Sequence, residues 1–445
     1  MMRIALVAMS GVRAHNPELT ALGLSLPGFV ERGKTIASLP SLGLLTLAAL
    51  TDDRHDVDYY EVDDIAEMDP LPECDVVAFS TYTAQVKECY ALSDRFRAAG
   101  VTTVIGGLHV TAMPDEALEH CDVVVAGEGE PVWRKVVADV ESGTASQIYR
   151  SNTPFDLADA PIPRYDLLDP DHYNRLTVQT QRGCPWRCEF CASSILLSPQ
   201  RYKTKPVEKV SAEIEAMKEI WADPFVELSD DNSFVNKHHS RDLVAAIGTQ
   251  GVKWFTETDV SIADDPGLLA MMSDAGCREI LVGFESPNAV ALDGIETNKN
   301  WKRRQVDRYR AAVAAIQEHG VALNACFVLG LDGDGPGVFE DVARFVDETD
   351  PFDVQITVLT PFPGTPLYER LLGAGRIIEP GAWELCTLFD VNYLPANMSV
   401  QQLETGLVEL GRHLYSQEST DHRRTGFRRQ VAIGIEHRID RMAAS

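Results

Sequence analysis

The sequence has no apolar run near the roughly 18 residues that a bilayer-spanning helix needs. Its opening stretch, Met2-Arg3-Ile4-Ala5-Leu6-Val7-Ala8-Met9, is too short and too lightly charged for a secretory signal. Together these absences imply a cytoplasmic chain with no integral membrane segment. Positive charge is also scarce: 40 Lys and Arg stand against 67 Asp and Glu, a net charge of −27. That balance disfavours nonspecific binding to nucleic acid, and no nucleic-acid partner is expected. Cysteine is unpatterned over most of the length. Of nine, Cys74, Cys89, Cys121, Cys277, Cys326 and Cys386 are scattered in mostly apolar surroundings, which reads as small buried hydrophobes and not as a secreted disulfide framework. Core-forming residues are plentiful. Hydrophobic residues make up 45% of the 445, enough for two or three folded domains and too many for a disordered chain.

The remaining cysteines are concentrated in Arg182-Gly183-Cys184-Pro185-Trp186-Arg187-Cys188-Glu189-Phe190-Cys191. Cys184, Cys188 and Cys191 follow CxxxCxxC spacing on one short loop, and soft thiolates suit iron–sulfur clusters or zinc. Three thiolates can hold three corners of a cubane cluster and leave the fourth iron open. A zinc knuckle would need a fourth Cys or His nearby, whereas the next candidates are His238, His239 and Cys277. The motif resembles that of the radical S-adenosylmethionine (SAM) superfamily. The resemblance implies a 4Fe-4S cluster on the three cysteines, SAM on the open iron, and Phe190 near the adenine.

Before the motif, apolar stretches at 4–9, 57–62, 76–80, 103–105 and 123–126 alternate with helical patterns at 42–50, 86–99 and 131–142. Such alternation predicts a doubly wound, Rossmann-like parallel sheet over residues 1–145, with ligands at the carboxyl ends of its strands. Those ends carry Ser80-Thr81-Tyr82, Gly106-Gly107-Leu108-His109 and Gly127-Glu128-Gly129-Glu130. Taken alone, glycine-rich turns are weak signals. With Leu39-Pro40-Ser41-Leu42-Gly43-Leu44-Leu45, the set is similar to the cobalamin-binding domain that precedes many radical SAM domains. By that resemblance Ser80, Thr81, Gly106 and Gly107 line the nucleotide tail of cobalamin. The Asp-x-His-x-x-Gly run whose His ligates cobalt is missing from the first loop, Ser10 to Pro17. His109 is better read as a structural residue than as a replacement ligand.

A linker rich in proline and short polar residues covers 146–173, with Tyr165, Leu167, Leu168 and Tyr173 as apolar anchors. Six further strand-and-helix units, with strands at 176–180, 225–228, 254–256, 279–284, 322–329 and 354–359, match the partial (β/α)6 barrel of the superfamily over 174–378. The cluster loop follows the first strand and opens at the barrel mouth. Acids recur at the other strand ends. By resemblance Asp230 meets the SAM amino group, Glu285 the ribose, and Glu257 is a further pocket residue; a solvated or capping carboxylate is the plain alternative for each. Asp332 and Asp334 read as turn residues.

Residues 379–445 form a helical extension, starting at a capping box from Ser399 and becoming basic through Arg423, Arg424, Arg428 and Arg429. The basic end is expected to pair with the acidic body. The whole layout, with Trp383-Glu384-Leu385-Cys386-Thr387-Leu388-Phe389-Asp390, is similar to the hopanoid C-2 methylase subgroup. This implies a cobalamin-dependent methyltransferase acting on an unactivated carbon of a small or lipid-like substrate, with a flavodoxin- or ferredoxin-type electron donor. A non-methylating radical reaction, and a non-catalytic iron–sulfur or zinc protein, remain the alternatives.

Overall fold

Two parallel sheets organise the computed structural model, which describes residues 1–10, 14–22, 39–192 and 202–444. Gly11, Val12 and Arg13 of the first loop lie outside the described residues. The first sheet holds β1 (Arg3–Met9), β2 (Asp56–Val62), β3 (Val76–Ser80), β4 (Thr102–Gly106), β5 (Val123–Ala126) and β6 (Ile148–Arg150), in the order β2-β1-β3-β4-β5-β6. β1 is almost wholly buried, as are β3, β4 and β5, because helices cover both faces. Leu42–Leu50 is one of these helices and starts at Ser41, whose hydroxyl accepts from the Leu44 amide. The sheet extends past residue 145, since β6 pairs with β5. Three residues flanked by short polar neighbours carry too little periodicity to be seen in sequence.

The second sheet begins with β7 (Leu176–Val178). A small antiparallel pair, β8 (Gln181–Arg182) and β9 (Lys203–Thr204), stands beside it. It continues through β10 (Phe225–Ser233), β11 (Lys253–Thr258), β12 (Cys277–Glu285), β13 (Ala322–Leu329) and β14 (Asp353–Val358), in the order β14-β13-β12-β11-β10-β7. Helices link these strands, and the sheet curves into the expected six-strand partial barrel. Side-chain alternation divides the barrel wall. Phe327 packs outward on Phe345 of the helix Val338–Thr349, so Asn324, Cys326 and Val328, of opposite parity, point into the lumen.

The C-terminal helices Val400–Leu414 and Gln417–Ala444 dock on this barrel. The predicted capping box is present at Ser399 and Gln402. Arg429 meets Asp350 at 2.8 Å, and the Arg424 guanidinium lies 3.4 Å from the Phe352 ring centroid. The basic end therefore pairs with the acidic body, as charge predicts. No helix among the described residues is long and apolar enough to cross a membrane.

Arg182 and Lys203 join the two domains. Arg182 donates to Glu128 at 2.7 Å and Glu130 at 2.6 Å, and Lys203 adds a contact to Glu128 at 2.9 Å. Burial alone would push the Glu128 carboxyl up. The Phe155 amide, Lys203 and Arg182 more than offset it and hold it below its usual range. All three partners are largely buried, so Arg182→Met leaves Glu130 without its cation and Glu128 with Lys203 alone. We expect it to lower unfolding stability by about 3 kcal/mol, measured by denaturant titration at pH 7. Because the folded-state value is depressed, the clamp's contribution is complete above the unfolded-state value of 4.5. It is lost as pH falls through the folded one, so the difference between wild type and variant shrinks in acid.

Candidate active site

The cluster loop follows β8 and is held from several sides. Gly183, with φ of 91°, donates its amide to Asp231 at 2.6 Å. Such a φ favours glycine, and it turns the chain out of the strand. Trp186 stacks on Trp301 at 4.3 Å and donates its ring N–H to Asp259. Glu296 accepts from the amides of Arg187, Asn298, Lys299 and Trp301. Arg370 clasps Glu189. Cys188 is buried, while Cys184 and Cys191 are partly exposed. Burial pushes the Cys184 thiol up to about 11, and the nearby Cys191 adds to this. Among the described residues no three His, Cys, Asp or Glu side chains are gathered closely enough to hold a metal ion. The thiols therefore share one region without finished coordination. Three thiols on one loop with no fourth donor remain the set that fits a cubane with an open corner. Phe190 is partly buried and packs on the barrel core.

The strand-end acids differ in what they are free to do. Asp230 is buried and already satisfied: it accepts from the Thr180 amide and hydroxyl, the Gln181 amide and the Ser233 hydroxyl. Desolvation still raises its carboxyl to about 6. Asp230 thus anchors the start of the cluster loop, and the neighbours that face the loop are Asp231 and Asn232. The Asn232 amide lies 3.5 Å from the Cys184 Sγ and 2.9 Å from Asp259.

Glu285 adopts φ of 62° at a register shift in β12 and pairs with Lys302 at 2.7 Å. A Cβ on Gly283 would come within 2.5 Å of the Glu285 Oε1, so a residue without a side chain leaves room for the pair. Both partners are largely buried. Desolvation opposes the charge on Lys302, but Glu285 and the Cys188 thiol more than offset it and raise the ammonium. Lys302→Met is expected to cost about 3 kcal/mol of stability by stranding the carboxylate, read by thermal or denaturant melting.

Glu257, near the end of β11, is exposed to the lumen yet ringed by protein. Desolvation, then Glu227, Asp231 and Asp230, push its carboxyl up to about 7 against the pull of Arg175.

In the first domain, Ser80, Gly106 and Gly107 line a cavity of about 160 Å³ with Gly43, Leu44, Leu47, Gly127, Gly129 and Glu130. Thr81 sits just behind, its hydroxyl turned to the Tyr82 carbonyl. Gly107 has φ of 120°, and a Cβ there would lie 3.0 Å from the Thr81 carbonyl. This glycine-walled, apolar-floored groove at the carboxyl strand ends has the form that a bulky planar ligand's tail requires. A second cavity of about 210 Å³ shares Gly43 and Glu130 with it and is walled by Gln179, Arg182 and Ser229 of the barrel. His109 is turned away from both. It is buried, contacts Glu116 at 3.2 Å and sits edge-on to Trp383.

Lys302, the Trp186–Trp301 stack and the grip of Glu128 and Glu130 on Arg182 are not legible in the sequence. Each joins positions far apart in the chain. Only the unusual Gly-Glu-Gly-Glu run hinted at one of them.

Residues 34–137 match the B12 binding domain family, and residues 178–346 match the Radical SAM superfamily. The chain therefore carries a B12-binding domain followed by a radical SAM domain. It is 26% identical over 389 residues to the bacteriochlorophyllide d C-12(1)-methyltransferase of Chlorobaculum tepidum, covering 85% of this chain and 83% of that protein. It is 26% identical over 357 residues to the hopanoid C-2 methylase of Rhodopseudomonas palustris (77% and 66% covered). It is 25% identical over 417 residues to the anaerobic magnesium-protoporphyrin IX monomethyl ester cyclase of Cereibacter sphaeroides (85% and 66% covered). The radical SAM methyltransferase TsrM of Kitasatospora setae, solved with cobalamin and a 4Fe-4S cluster, has the same fold. Its TM-score is 0.63 at 17% identity, over 86% of this chain and 77% of that one.

Proposed function

We propose that the chain is a cobalamin-dependent radical SAM methyltransferase acting on an unactivated carbon of a small or lipid-like molecule. The observation that carries this reading is the pair of cavities that share Gly43 and Glu130 and run from the first domain to the barrel strand ends. When bound, the cluster with SAM supplies hydrogen-atom abstraction, and cobalamin supplies the methyl group. The chain's own residues do the positioning. Cys184, Cys188 and Cys191 hold the cluster. Asp231 and Asn232 orient its loop, and Glu285 with Lys302 borders the SAM side. Ser80, Gly106 and Gly107 cradle the cobalamin tail, with Thr81 behind them. Arg182, held by Glu128 and Glu130, fixes the two halves face to face. On this reading the protein works in the cytoplasm with a flavodoxin- or ferredoxin-type donor, a proposal supported by the reducing conditions that such a cluster needs.

With substrate, anaerobic turnover should yield one 5′-deoxyadenosine and one S-adenosylhomocysteine per methylation. 5′-Deoxyadenosine without S-adenosylhomocysteine would favour a non-methylating radical reaction, the reading that similarity to the cyclase supports. No SAM cleavage under any reductant would leave a binding protein.

A further inference from the structure

The barrel lumen offers hydrogen-bond acceptors that the protein leaves unused. Glu257 has no hydrogen-bond or ion-pair partner among the described residues. In the sheet register it stands level with Leu281 and, through it, with Asn324. Asn324 is 1% exposed, and its Oδ1 has no partner. One step along, Gln355 lies beside Cys326, and its Oε1 is also unpartnered. Strand alternation turns all three into the lumen. Buried polar atoms are normally hydrogen-bonded, so the two buried amide oxygens, with the Glu257 carboxylate open to the lumen beside them, point to a ligand that donates.

The cations that could have answered them are committed elsewhere. Arg175 pairs with Glu227, Arg182 with Glu128 and Glu130, and Lys302 with Glu285. The groups facing Glu257 are Glu227, Asp230 and Asp231 on β10, Arg175 ahead of β7, and Cys326 on β13. A ligand carboxylate placed here would meet like charge from Glu257, Glu227, Asp230 and Asp231.

We infer that Glu257 is a substrate-binding residue, and that the substrate segment entering the lumen carries an amine or another N–H or O–H donor and no carboxylate. This rests on the lumen being the substrate chamber of the proposed radical enzyme. It separates Glu257 from Glu285, proposed above to border the SAM side. Because its carboxyl titrates near 7, the charge that attracts a cationic group is present above that pH and lost below it.

The test uses holoenzyme carrying cluster, cobalamin and SAM, with phenethylamine and its near-isostere phenylacetate as probes. Binding is measured by equilibrium dialysis and saturation-transfer NMR. Phenethylamine should bind at least about tenfold more tightly than phenylacetate at pH 8. Its affinity should fall about tenfold from pH 8 to pH 6, following the ionised fraction of Glu257. Glu257→Gln should flatten that pH profile and narrow the preference, and Glu257→Asp should restore both in part, while melting temperature reports that each variant is folded. Equal or tighter binding of phenylacetate, no binding of phenethylamine, or an unchanged pH profile in Glu257→Gln would overturn the inference. Corrinoid uptake and reductive SAM cleavage are measured on the same samples. If both persist, only the substrate assignment has failed; if they are absent, the proposed function has failed.

Discussion

Cys188→Ala should yield a folded protein that retains only trace iron and sulfide after anaerobic reconstitution and cleaves SAM at background rate. The thiol is buried, with Glu296, Glu285 and Lys302 near it, so Ala fits the site and loses only about 1 kcal/mol of packing. What it removes is one of three ligands with no fourth to substitute. Cys386→Ala, which truncates a thiol of similar burial in the C-terminal segment, should keep its cluster. Iron and sulfide analysis with the visible absorption spectrum separates the two. A Cys188→Ala protein with full iron content would mean that the loop does not hold the cluster.

Gly43→Leu should reduce corrinoid uptake at least about tenfold while the cluster is retained. Gly43 lies in the first turn of a helix and lines both cavities. No heavy atom lies within 4 Å of a Cβ added there, so a leucine can be added without backbone clash. Replacing glycine in a helix contributes up to about 1 kcal/mol of stability, and melting temperature should hold or rise. Lost corrinoid in a protein that is no less stable is difficult to ascribe to misfolding. The side chain itself would occupy much of a cavity of about 160 Å³. Wild-type corrinoid content in this variant would move the cobalamin site elsewhere.

The parts of this molecule that local chemistry determines were legible in its sequence. The strands Val76–Ser80 and Val123–Ala126 and the helix Leu42–Leu50 follow from uninterrupted apolar runs with clear stops. Six barrel strands follow from the same signal repeated. β10 and β12 run further than expected, to Ser233 and Glu285, because their ends are polar lumen and loop contacts that no apolar pattern marks. The site was legible as a set of types and positions and not as a set of partners. Asp230 and Asp231 are adjacent in sequence, yet only the fold reveals that one is saturated by Thr180, Gln181 and Ser233 while the other meets the loop. Glu285 was legible as a strand-end acid, but Lys302 was not. It lies seventeen positions on, beyond any local spacing rule, and only the turn of the chain after β12 returns it. Glu257 looked like any other strand-end carboxylate. Its distinction is the pair of unanswered amide oxygens, Asn324 and Gln355, on the same wall, a property of three strands at once.

The account turns on one chain carrying both an open-cornered cluster and a corrinoid, facing each other across the Arg182 clamp. The direct measurement is iron, labile sulfide and corrinoid per chain on protein purified and reconstituted without oxygen. The account predicts about four iron, about four sulfide and one corrinoid. A single tetrahedral metal ion without labile sulfide, or a full cluster on protein that never retains corrinoid, would contradict it.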